Sequence, residues 1–257
     1  MRVITLNING IRSGAKKGFF EWLKQENADF ICLQETKAQV GLLEKDLFCP
    51  EGYYCYHHDA EKKGYSGVAI YTKQEPVKVQ MGLGWAEADN EGRYLQLDYA
   101  HINIVSLYMP SGSSGAERQS IKFAFMQHYM PVLDKLMHSK RPFIICGDWN
   151  IVHKEIDIKN WKSNQKHSGC LPEERAWLDK VFTNGGWVDA FRVINQEPDQ
   201  YTWWSNRGQA YAKNVGWRID YQIITPDLKN KVKSVKIYKD QRFSDHAPLV
   251  IDYDLVP

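Results

Sequence analysis

The chain has 257 residues, of which 43% are hydrophobic and 25% are charged, and these proportions exclude a disordered, collagen-like or disulfide-scaffold protein. Its 33 basic and 31 acidic residues leave a formal net charge of +2. This charge is low for a protein that binds nucleic acid by charge alone. It still permits such binding if some of the carboxylates bind a cation. The apolar runs are too short to span a bilayer, and the N-terminus is typical of a strand rather than a signal peptide.

Hydrophobic periodicity in the first half of the chain predicts several strands and one helix. Residues 2–9 alternate apolar and polar side chains, as a half-buried strand does, and residues 30–33 form a buried apolar run. Between them, residues 16–26 place aromatic and aliphatic side chains at helical spacing. Further strands are predicted at 67–72, 77–81, 93–98 and 102–108.

The rest of the chain repeats this alternation. A Ser/Gly loop at 111–115 precedes a long amphipathic helix, which Pro131 should bend. A buried strand at 143–146 follows, and then a helix at 172–182 with a proline near its first turn. The remaining strands are predicted at 200–204, 218–224, 232–238 and 247–253. No linker or repeat interrupts the pattern, so we predict one two-sheet α/β domain over residues 1–257.

The five cysteines show no recognisable spacing for a crosslink or a metal. They form an odd set without a C-x-x-C pair, so neither a disulfide framework nor a thiolate zinc site is implied. We therefore expect a reducing location: the cytoplasm, in association with the nucleoid if the source is a bacterium, or the nucleus if it is eukaryotic.

Polar residues recur where the predicted buried strands end. Each has an ordinary explanation when taken alone, as a turn former, a surface charge or a satisfied histidine. Six strand ends that carry amide, carboxylate or imidazole groups are more than turn chemistry requires, and strand ends can direct side chains into one cleft. These residues are Asn7, Asn9, Gln34, Glu35, Thr36, Lys37, Tyr108, Gly147, Asp148, Trp149, Asn150, Asp220, Ser244, Asp245 and His246.

This residue set favours phosphodiester hydrolysis with a hard cation. The sequence has no zinc-ligand spacing, no G-x-S-x-G elbow and no Gly-rich phosphate loop before a helix. Carboxylates with amide and histidine neighbours suit magnesium, which prefers oxygen ligands. Such a cation neutralises a phosphate and the charge that builds on its oxygens during displacement.

The motifs resemble the exonuclease III family of AP endonucleases over essentially the whole chain. They lie in the family's order: Asn7-x-Asn9-Gly10, Leu33 to Lys37, Tyr108-Met109-Pro110, Gly147 to Asn150, Gly216 to Tyr221 and Ser244-Asp245-His246. Deoxyribonuclease I, sphingomyelinases and inositol polyphosphate phosphatases share Glu35, Lys37 and the Ser-Asp-His block more loosely. The resemblance implies a deoxyribonuclease I-like four-layer α/β sandwich, in which two packed β-sheets are flanked by helices.

The resemblance also implies a metal site. Glu35 matches the principal magnesium ligand, with Asn7 and Asp245 completing or supporting it, and manganese could substitute. Position 9 carries Asn9, where some family members have Asp. This amide leaves one negative charge fewer near the metal and weakens the case for a second cation.

Catalytic roles carry over to five residues of the same motifs. Asp148 and Asn150 match residues that orient and activate the attacking water. Tyr108 matches a phenol that contacts the phosphate. His246 matches an imidazole at the scissile phosphate, and Asp220 matches its orienting carboxylate, which fixes the tautomer and raises the basicity of the ring. The sequence leaves open whether Asp148 or His246 takes the proton from water.

Other residues match the family's substrate contacts. Trp203, Trp217 and Ile219 match an apolar pocket for a flipped-out abasic sugar, whereas Trp204 is assigned to the core. Asn9 and Lys37 are assigned to substrate binding beside the metal. The basic candidates for phosphate contacts are Lys37, Lys62, Lys63, Arg118 and Lys213.

Two further positions depart from the family pattern. Trp149 is bulkier than the expected small aliphatic residue, and we predict that it packs beneath the site. Ser114 stands where some relatives place an Arg that reaches into the duplex, so that contact is expected to be missing.

The resemblance implies a monomeric, magnesium-dependent AP endonuclease of base-excision repair that does not bind membranes. It would cut duplex DNA 5′ to an abasic site, and it would also act on blocked 3′ ends as a 3′→5′ exonuclease and 3′-phosphatase. Two alternatives are a phosphatase of inositol or lipid phosphates and a non-catalytic DNA-binding module. The apolar pocket argues against the first, and the complete set of polar site residues argues against the second.

Overall fold

The computed structural model describes residues 1–43 and 45–256. In that part of the chain the strands are β1 (Arg2–Asn7), β2 (Phe30–Gln34), β3 (Tyr54–His58), β4 (Val68–Thr72), β5 (Lys78–Met81), β6 (Tyr94–Asp98), β7 (Asn103–Tyr108), β8 (Phe143–Asp148), β9 (Val188–Asp189), β10 (Trp203–Trp204), β11 (Gly216–Trp217), β12 (Asp220–Ile224), β13 (Val232–Ile237) and β14 (Leu249–Tyr253). The α-helices are α1 (Ile11–Lys16), α2 (Phe19–Glu26), α3 (Lys45–Phe48), α4 (Ala86–Asp89), α5 (Ala116–His138), α6 (Trp161–Asn164), α7 (Pro172–Asp179) and α8 (Ala190–Ile194).

Twelve of these strands form two mixed sheets of six. The first sheet has the order β13-β14-β1-β2-β4-β3, and the second has the order β5-β6-β7-β8-β12-β9. Each contains one parallel pair, β1 with β2 and β7 with β8. In the first sheet β14 runs antiparallel to β1, with Arg2 opposite Asp252. This pairing joins strands from the two ends of the described chain.

The sheets pack face to face, and helices cover both outer faces. Val3 and Ile70 of the first sheet share a core with Ile104 and Ile144 of the second. The outer face of the first sheet packs against the aromatic and aliphatic side chains of α1 and α2, and that of the second packs against α5 and α7. The layers are therefore helix, sheet, sheet and helix, which confirms the predicted four-layer α/β sandwich.

Most predicted elements are present, with local differences. The predicted helix over residues 16–26 begins earlier and is divided into α1 and α2 by Gly18, whose φ of 84° does not continue a helix. Helix α5 continues through Pro131, and a π-helical turn at Lys180–Asn184 extends α7. Strand β3 was not predicted, because its residues are polar or aromatic and it lies at the half-buried edge of its sheet.

A disulfide joins Cys49 to Cys55, with their Cα atoms 5.8 Å apart. It connects the segment after α3 to β3 and is a local crosslink rather than a framework. The cysteine pattern implied no disulfide framework, and the structure corrects this by one local disulfide. The sequence did not predict it because a pair of cysteines six residues apart forms no recognisable motif. Cys32, Cys146 and Cys170 are free and buried. Over residues 1–43 and 45–256, no helix is long and apolar enough to cross a membrane.

Candidate active site

Glu35 follows β2 and receives contacts from three other predicted site residues. Its Oε1 accepts hydrogen bonds from Asn7 Nδ2 and from the Tyr108 hydroxyl, each at 2.7 Å. Its Oε2 lies 2.7 Å from Lys37 Nζ. Burial alone would raise the pKa of Glu35, but the positive charge of Lys37 and these hydrogen bonds lower it overall. The carboxylate is therefore held ionised at neutral pH.

Asp148, Asp220 and His246 form a buried acid–base group. Asp148 and Asp220 lie opposite each other on β8 and β12. The Nδ1 atom of His246 lies 2.8 Å from Asp220 Oδ2, and its Nε2 lies 3.9 Å from Asp148 Oδ2. Because a carboxylate can only accept, Nδ1 carries the proton of the shorter contact.

Burial and mutual charge set the protonation of this group. Burial raises the pKa of Asp148 to about 7, and the charge of Asp220 contributes to the increase. Burial alone would lower the pKa of His246, but the charge and hydrogen bond of Asp220 raise it to about 10. At neutral pH the site therefore combines an imidazolium with a carboxyl group that can exchange its proton.

Asn150 and Tyr108 both lie beside Asp148. The Nδ2 atom of Asn150 donates to Asp148 Oδ2 at 3.2 Å and to the Met109 carbonyl at 2.9 Å. Tyr108 lies opposite Asp148 in the parallel β7–β8 pair. The guanidinium of Arg93 lies 4.7 Å from the centroid of the Tyr108 ring, and burial raises the pKa of the Tyr108 hydroxyl. The phenol therefore remains protonated and donates to Glu35.

Asp245 is held by two predicted substrate-binding residues. Its Oδ1 accepts from Asn9 Nδ2 at 2.9 Å, and its Oδ2 accepts from Trp203 Nε1 at 3.1 Å. The oxygen of the same Asn9 amide accepts from Lys37 Nζ. Asn9 thus uses both ends of its side chain, and an aspartate at this position could not donate to Asp245.

Trp203, Trp217 and Ile219 form an apolar wall. The two indole rings are edge to face, with centroids 5.8 Å apart. Ile219 packs in a small cluster that both tryptophans flank. Trp204 is 1% exposed and belongs to the core between the sheets, as predicted.

One cleft of about 670 Å³ brings most of the predicted site residues together. They are Glu35, Tyr108, Asp148, Asn150, Trp203, Trp217, Ile219, Asp245 and His246. The others contact a lining residue: Asn7 and Lys37 bond to Glu35, Asn9 bonds to Asp245, and Asp220 bonds to His246. Carboxylates, imidazole and an apolar wall thus share one cavity.

The other basic candidates are not among the residues that line this cleft in the described part of the chain. They are Lys62, Lys63, Arg118 and Lys213. Arg118 instead contacts the Tyr65 hydroxyl at 2.7 Å. Their assignment to phosphate contacts stays a prediction.

The two remaining departures from the family pattern have distinct surroundings. Trp149 is completely buried in the core beneath the second sheet, where it packs as predicted against Tyr129 and Trp177. Ser114 is exposed in a loop whose neighbouring residues, Ser113 and Gly115, line the cleft. A hydroxymethyl group therefore stands at the mouth of the cleft in place of a long basic side chain.

One wall of the cleft was not predicted. Residues 166–169 and Leu171 line it, together with Gln119 from α5. Behind this wall, Lys122 of α5 contacts Glu174 of α7 at 2.6 Å, and both side chains are fully buried. Glu174 follows Pro172 and has the sequence signature of an ordinary acidic residue in a helix's first turn, so no motif distinguishes it.

Two groups of side chains could hold a metal ion. Asp148, Asp220 and His246 present ligand atoms within 4.8 Å of one another. However, at neutral pH both ring nitrogens of His246 carry protons and offer no lone pair to a metal ion, so this group fits proton handling better. Glu35 and Asp245 offer ionised oxygen donors to the same cleft, and this chemistry fits a hard cation.

Comparison with known proteins agrees with this geometry. The model of the Endonuclease/Exonuclease/phosphatase family matches residues 4–246. An exodeoxyribonuclease from Bacillus subtilis is 39% identical over 97% of this chain and 98% of its own length. A DNA-(apurinic or apyrimidinic site) endonuclease from Dictyostelium discoideum is 37% identical over 99% of this chain and 71% of its own length.

Solved structures give the same result. An AP endonuclease from Archaeoglobus fulgidus superposes with a TM-score of 0.90 at 28% identity, covering 99% of this chain and 100% of that one. The resemblance inferred from the motifs is therefore confirmed. The chain belongs to the endonuclease/exonuclease/phosphatase family.

Proposed function

We propose that this protein is a magnesium-dependent AP endonuclease of base-excision repair. It hydrolyses the phosphodiester 5′ to an abasic site in duplex DNA and leaves a 3′-hydroxyl. The observation that carries this proposal is the shared cleft, in which the Asp148–Asp220–His246 group faces the apolar wall of Trp203, Trp217 and Ile219. The name of the Dictyostelium relative supports the abasic substrate.

Glu35 would hold the cation, with Asp245 and Asn7 in support. Magnesium neutralises negative charge on the phosphate when it is bound. The Tyr108 hydroxyl and the Asn7 amide keep Glu35 oriented through their 2.7 Å hydrogen bonds. The amide of Asn7 also donates to Asp148 at 2.9 Å, so it ties the cation ligand to the acid–base group.

Asp148 takes the proton from the attacking water. Its carboxylate lines the cleft and is held by amides of Asn7 and Asn150. His246 is held by Asp220 through Nδ1, which leaves Nε2 to donate to a phosphate oxygen. The imidazolium thereby stabilises the charge that develops on the phosphate.

The apolar wall selects the damaged nucleotide. An abasic nucleotide has lost its stacking and pairing, so it leaves the helix at lower cost than an intact one. A deoxyribose without a base fits against Trp203, Trp217 and Ile219. The name of the Bacillus relative, an exodeoxyribonuclease, supports an exonuclease activity in addition. We include a 3′→5′ direction for that activity, and 3′-phosphatase activity, in the proposal.

The test is incision of an abasic duplex by wild type and by Glu35→Ala. We expect rapid incision with magnesium, none with a chelator, and a loss on the order of hundreds-fold or more in Glu35→Ala. Glu51, which is exposed, provides the matched control Glu51→Ala, which should keep full activity. Near-normal incision by Glu35→Ala at low magnesium would refute the metal assignment.

Two further substrates separate the alternatives. Hydrolysis of inositol phosphates in preference to abasic duplex would favour the phosphatase alternative, and binding of abasic duplex without incision would favour a non-catalytic module. The predictions of one domain over residues 1–257, a monomer, and a location in the cytoplasm or nucleus stay predictions. Size-exclusion chromatography with light scattering tests the monomer.

A further inference from the structure

Lys122 and Glu174 form an ion pair that the proposed chemistry does not use. Lys122 Nζ lies 2.6 Å from Glu174 Oε1, and neither side chain is exposed. The pair connects α5 to α7 behind the cleft. Neither residue belongs to the motifs that identify the family.

Stability alone is a weak explanation for this pair. Removing two charges from water is costly, and well-packed apolar residues of similar volume are often as stabilising or more so. A buried ion pair does, however, impose fixed distances on the groups that it joins.

Lys122 holds the backbone of a predicted catalytic residue. Its Nζ donates to the Asn150 carbonyl at 2.7 Å. Asn150 has a positive φ of 51°, in the left-handed region that asparagine adopts more readily than most residues, so its backbone lies at a sharp turn after β8. Because the side chain of Asn150 donates to Asp148, a rotation of its backbone would change how Asp148 is held.

Glu174 holds the wall of the cleft. Its Oε2 accepts from the backbone N–H of Gly169 at 2.6 Å and of Leu171 at 3.1 Å. Gly169 has a φ of 93°, and a Cβ built on it would lie 2.8 Å from the Trp217 ring. The backbone at Gly169 therefore packs closely against the Trp217 ring, and both residues line the cleft.

We propose that Lys122 and Glu174 are a positioning pair, which sets the backbone of Asn150 and the Gly169–Trp217 wall in the arrangement that incision of abasic DNA requires. This inference rests on the proposed function. Neither residue contacts substrate. Each acts through the residue that it holds.

The experiment compares wild type with the neutral double variant Lys122→Met/Glu174→Gln. The double variant is used because Lys122→Met alone leaves a buried carboxylate without its partner. Leu133→Ala is the matched control, since Leu133 is a buried residue of the same helix α5 and packs in the outer core. Leu133→Ala should destabilise the fold without removing a hydrogen bond to the Asn150 carbonyl or to Gly169.

Four quantities are measured: the thermal midpoint, kcat and KM on an abasic duplex, and the rate of amide hydrogen exchange over residues 166–171. We expect kcat of the double variant to fall about tenfold or more, with KM changed by less than about threefold. Exchange at Gly169 and Leu171 should accelerate, because their N–H groups lose a charged acceptor. Leu133→Ala should keep wild-type kcat and wild-type exchange in this segment well below its thermal midpoint.

The outcomes are distinguishable. Equal kcat in wild type and the double variant overturns the positioning role while leaving the proposed function intact. An equal loss of kcat in Leu133→Ala also overturns the positioning role, because general destabilisation then accounts for the loss of kcat. If wild type does not cut the abasic duplex, the proposed function fails, and the inference fails with it.

Discussion

Asp220 accepts a 2.8 Å hydrogen bond from Nδ1 of His246 and is itself completely buried, whereas His246 lines the cleft. The carboxylate thus influences the cleft through the imidazole. Two residues arranged in this way should behave as one unit when they are mutated.

We therefore expect His246→Asn and Asp220→Asn each to slow incision of an abasic duplex by on the order of a hundredfold or more. The fold-reduction of kcat in the double variant should be much smaller than the product of the fold-reductions in the two single variants. The measurement is kcat for the three variants, with thermal unfolding of each as the control. Losses that multiply would show that Asp220 does not act through His246.

Asn9 provides a second prediction, because its amide donates to Asp245 at 2.9 Å. Asn9→Asp replaces this donor with a second carboxylate, so repulsion should lower the thermal midpoint in a chelator by a few degrees, equivalent to about 1 kcal/mol. Magnesium should restore more stability to this variant than to wild type, because a cation offsets the added charge.

The control is Asn9→Ala, which removes the donor without adding a charge. It should lose stability in the chelator but gain no extra stability from magnesium. The measurement is the thermal midpoint of all three proteins with and without the ion. A magnesium-dependent increase that is the same in Asn9→Asp and wild type would contradict the prediction.

Trp217 tests how damage is distinguished from normal DNA. Trp217→Ala should widen the cleft while leaving Asp148 and His246 in place, so discrimination against an intact nucleotide should fall. The measurement is the ratio of kcat/KM for abasic duplex to kcat/KM for intact duplex, with thermal stability followed in parallel. An unchanged ratio in a folded variant would mean that Trp217 serves only to pack the core.

The ion pairs of Asp157 predict that the stability of the fold depends on pH. Its Oδ1 accepts from Arg218 Nε at 2.7 Å and from Arg192 Nη2 at 2.6 Å. Burial alone would raise the pKa of Asp157, but the two guanidinium groups lower it to about 2. A carboxyl group with a lowered pKa stabilises the fold above its unfolded pKa of about 4, and this contribution is lost as pH falls towards 2.

The shift corresponds to on the order of 2 kcal/mol. Asp157→Asn should therefore lower the free energy of unfolding at pH 7 by at least this amount, and the gap from wild type should narrow between pH 4 and pH 2. Urea unfolding at several pH values measures both effects. If the free energy of unfolding of the two proteins differs by the same amount at every pH in this range, the Asp157 ion pairs are not the source of the pH dependence.

The sequence predicted the centre of the site because those residues follow strand ends. Asn7 ends β1, Asp148 ends β8, and Glu35 directly follows β2. The parallel pairing of β1 with β2 brings Asn7 and Glu35 together, and the packing of the two sheets places Asp148 beside Asn7, so a local pattern was enough to predict a shared cleft.

The supporting structure could not be predicted in the same way. Lys122 resembles any lysine of an amphipathic helix, and its burial depends on how α5 and α7 pack against the 166–171 segment. The crosslink between Cys49 and Cys55 likewise depends on where β3 lies in the sheet. Such features arise from contacts between distant segments, which a periodic pattern does not contain.

The pairing of β1 with β14 has a consequence for synthesis of the protein. Residues of β1 are synthesised before the rest of the described fold, whereas their antiparallel neighbours on β14, such as Asp252 opposite Arg2, are synthesised after almost all of it. One edge of β1 therefore stays open during translation, and open edges invite pairing with other chains. Asp245 and His246 lie a few residues before Leu249, where β14 begins, so the acid–base group and the first sheet are completed within the same short stretch of synthesis.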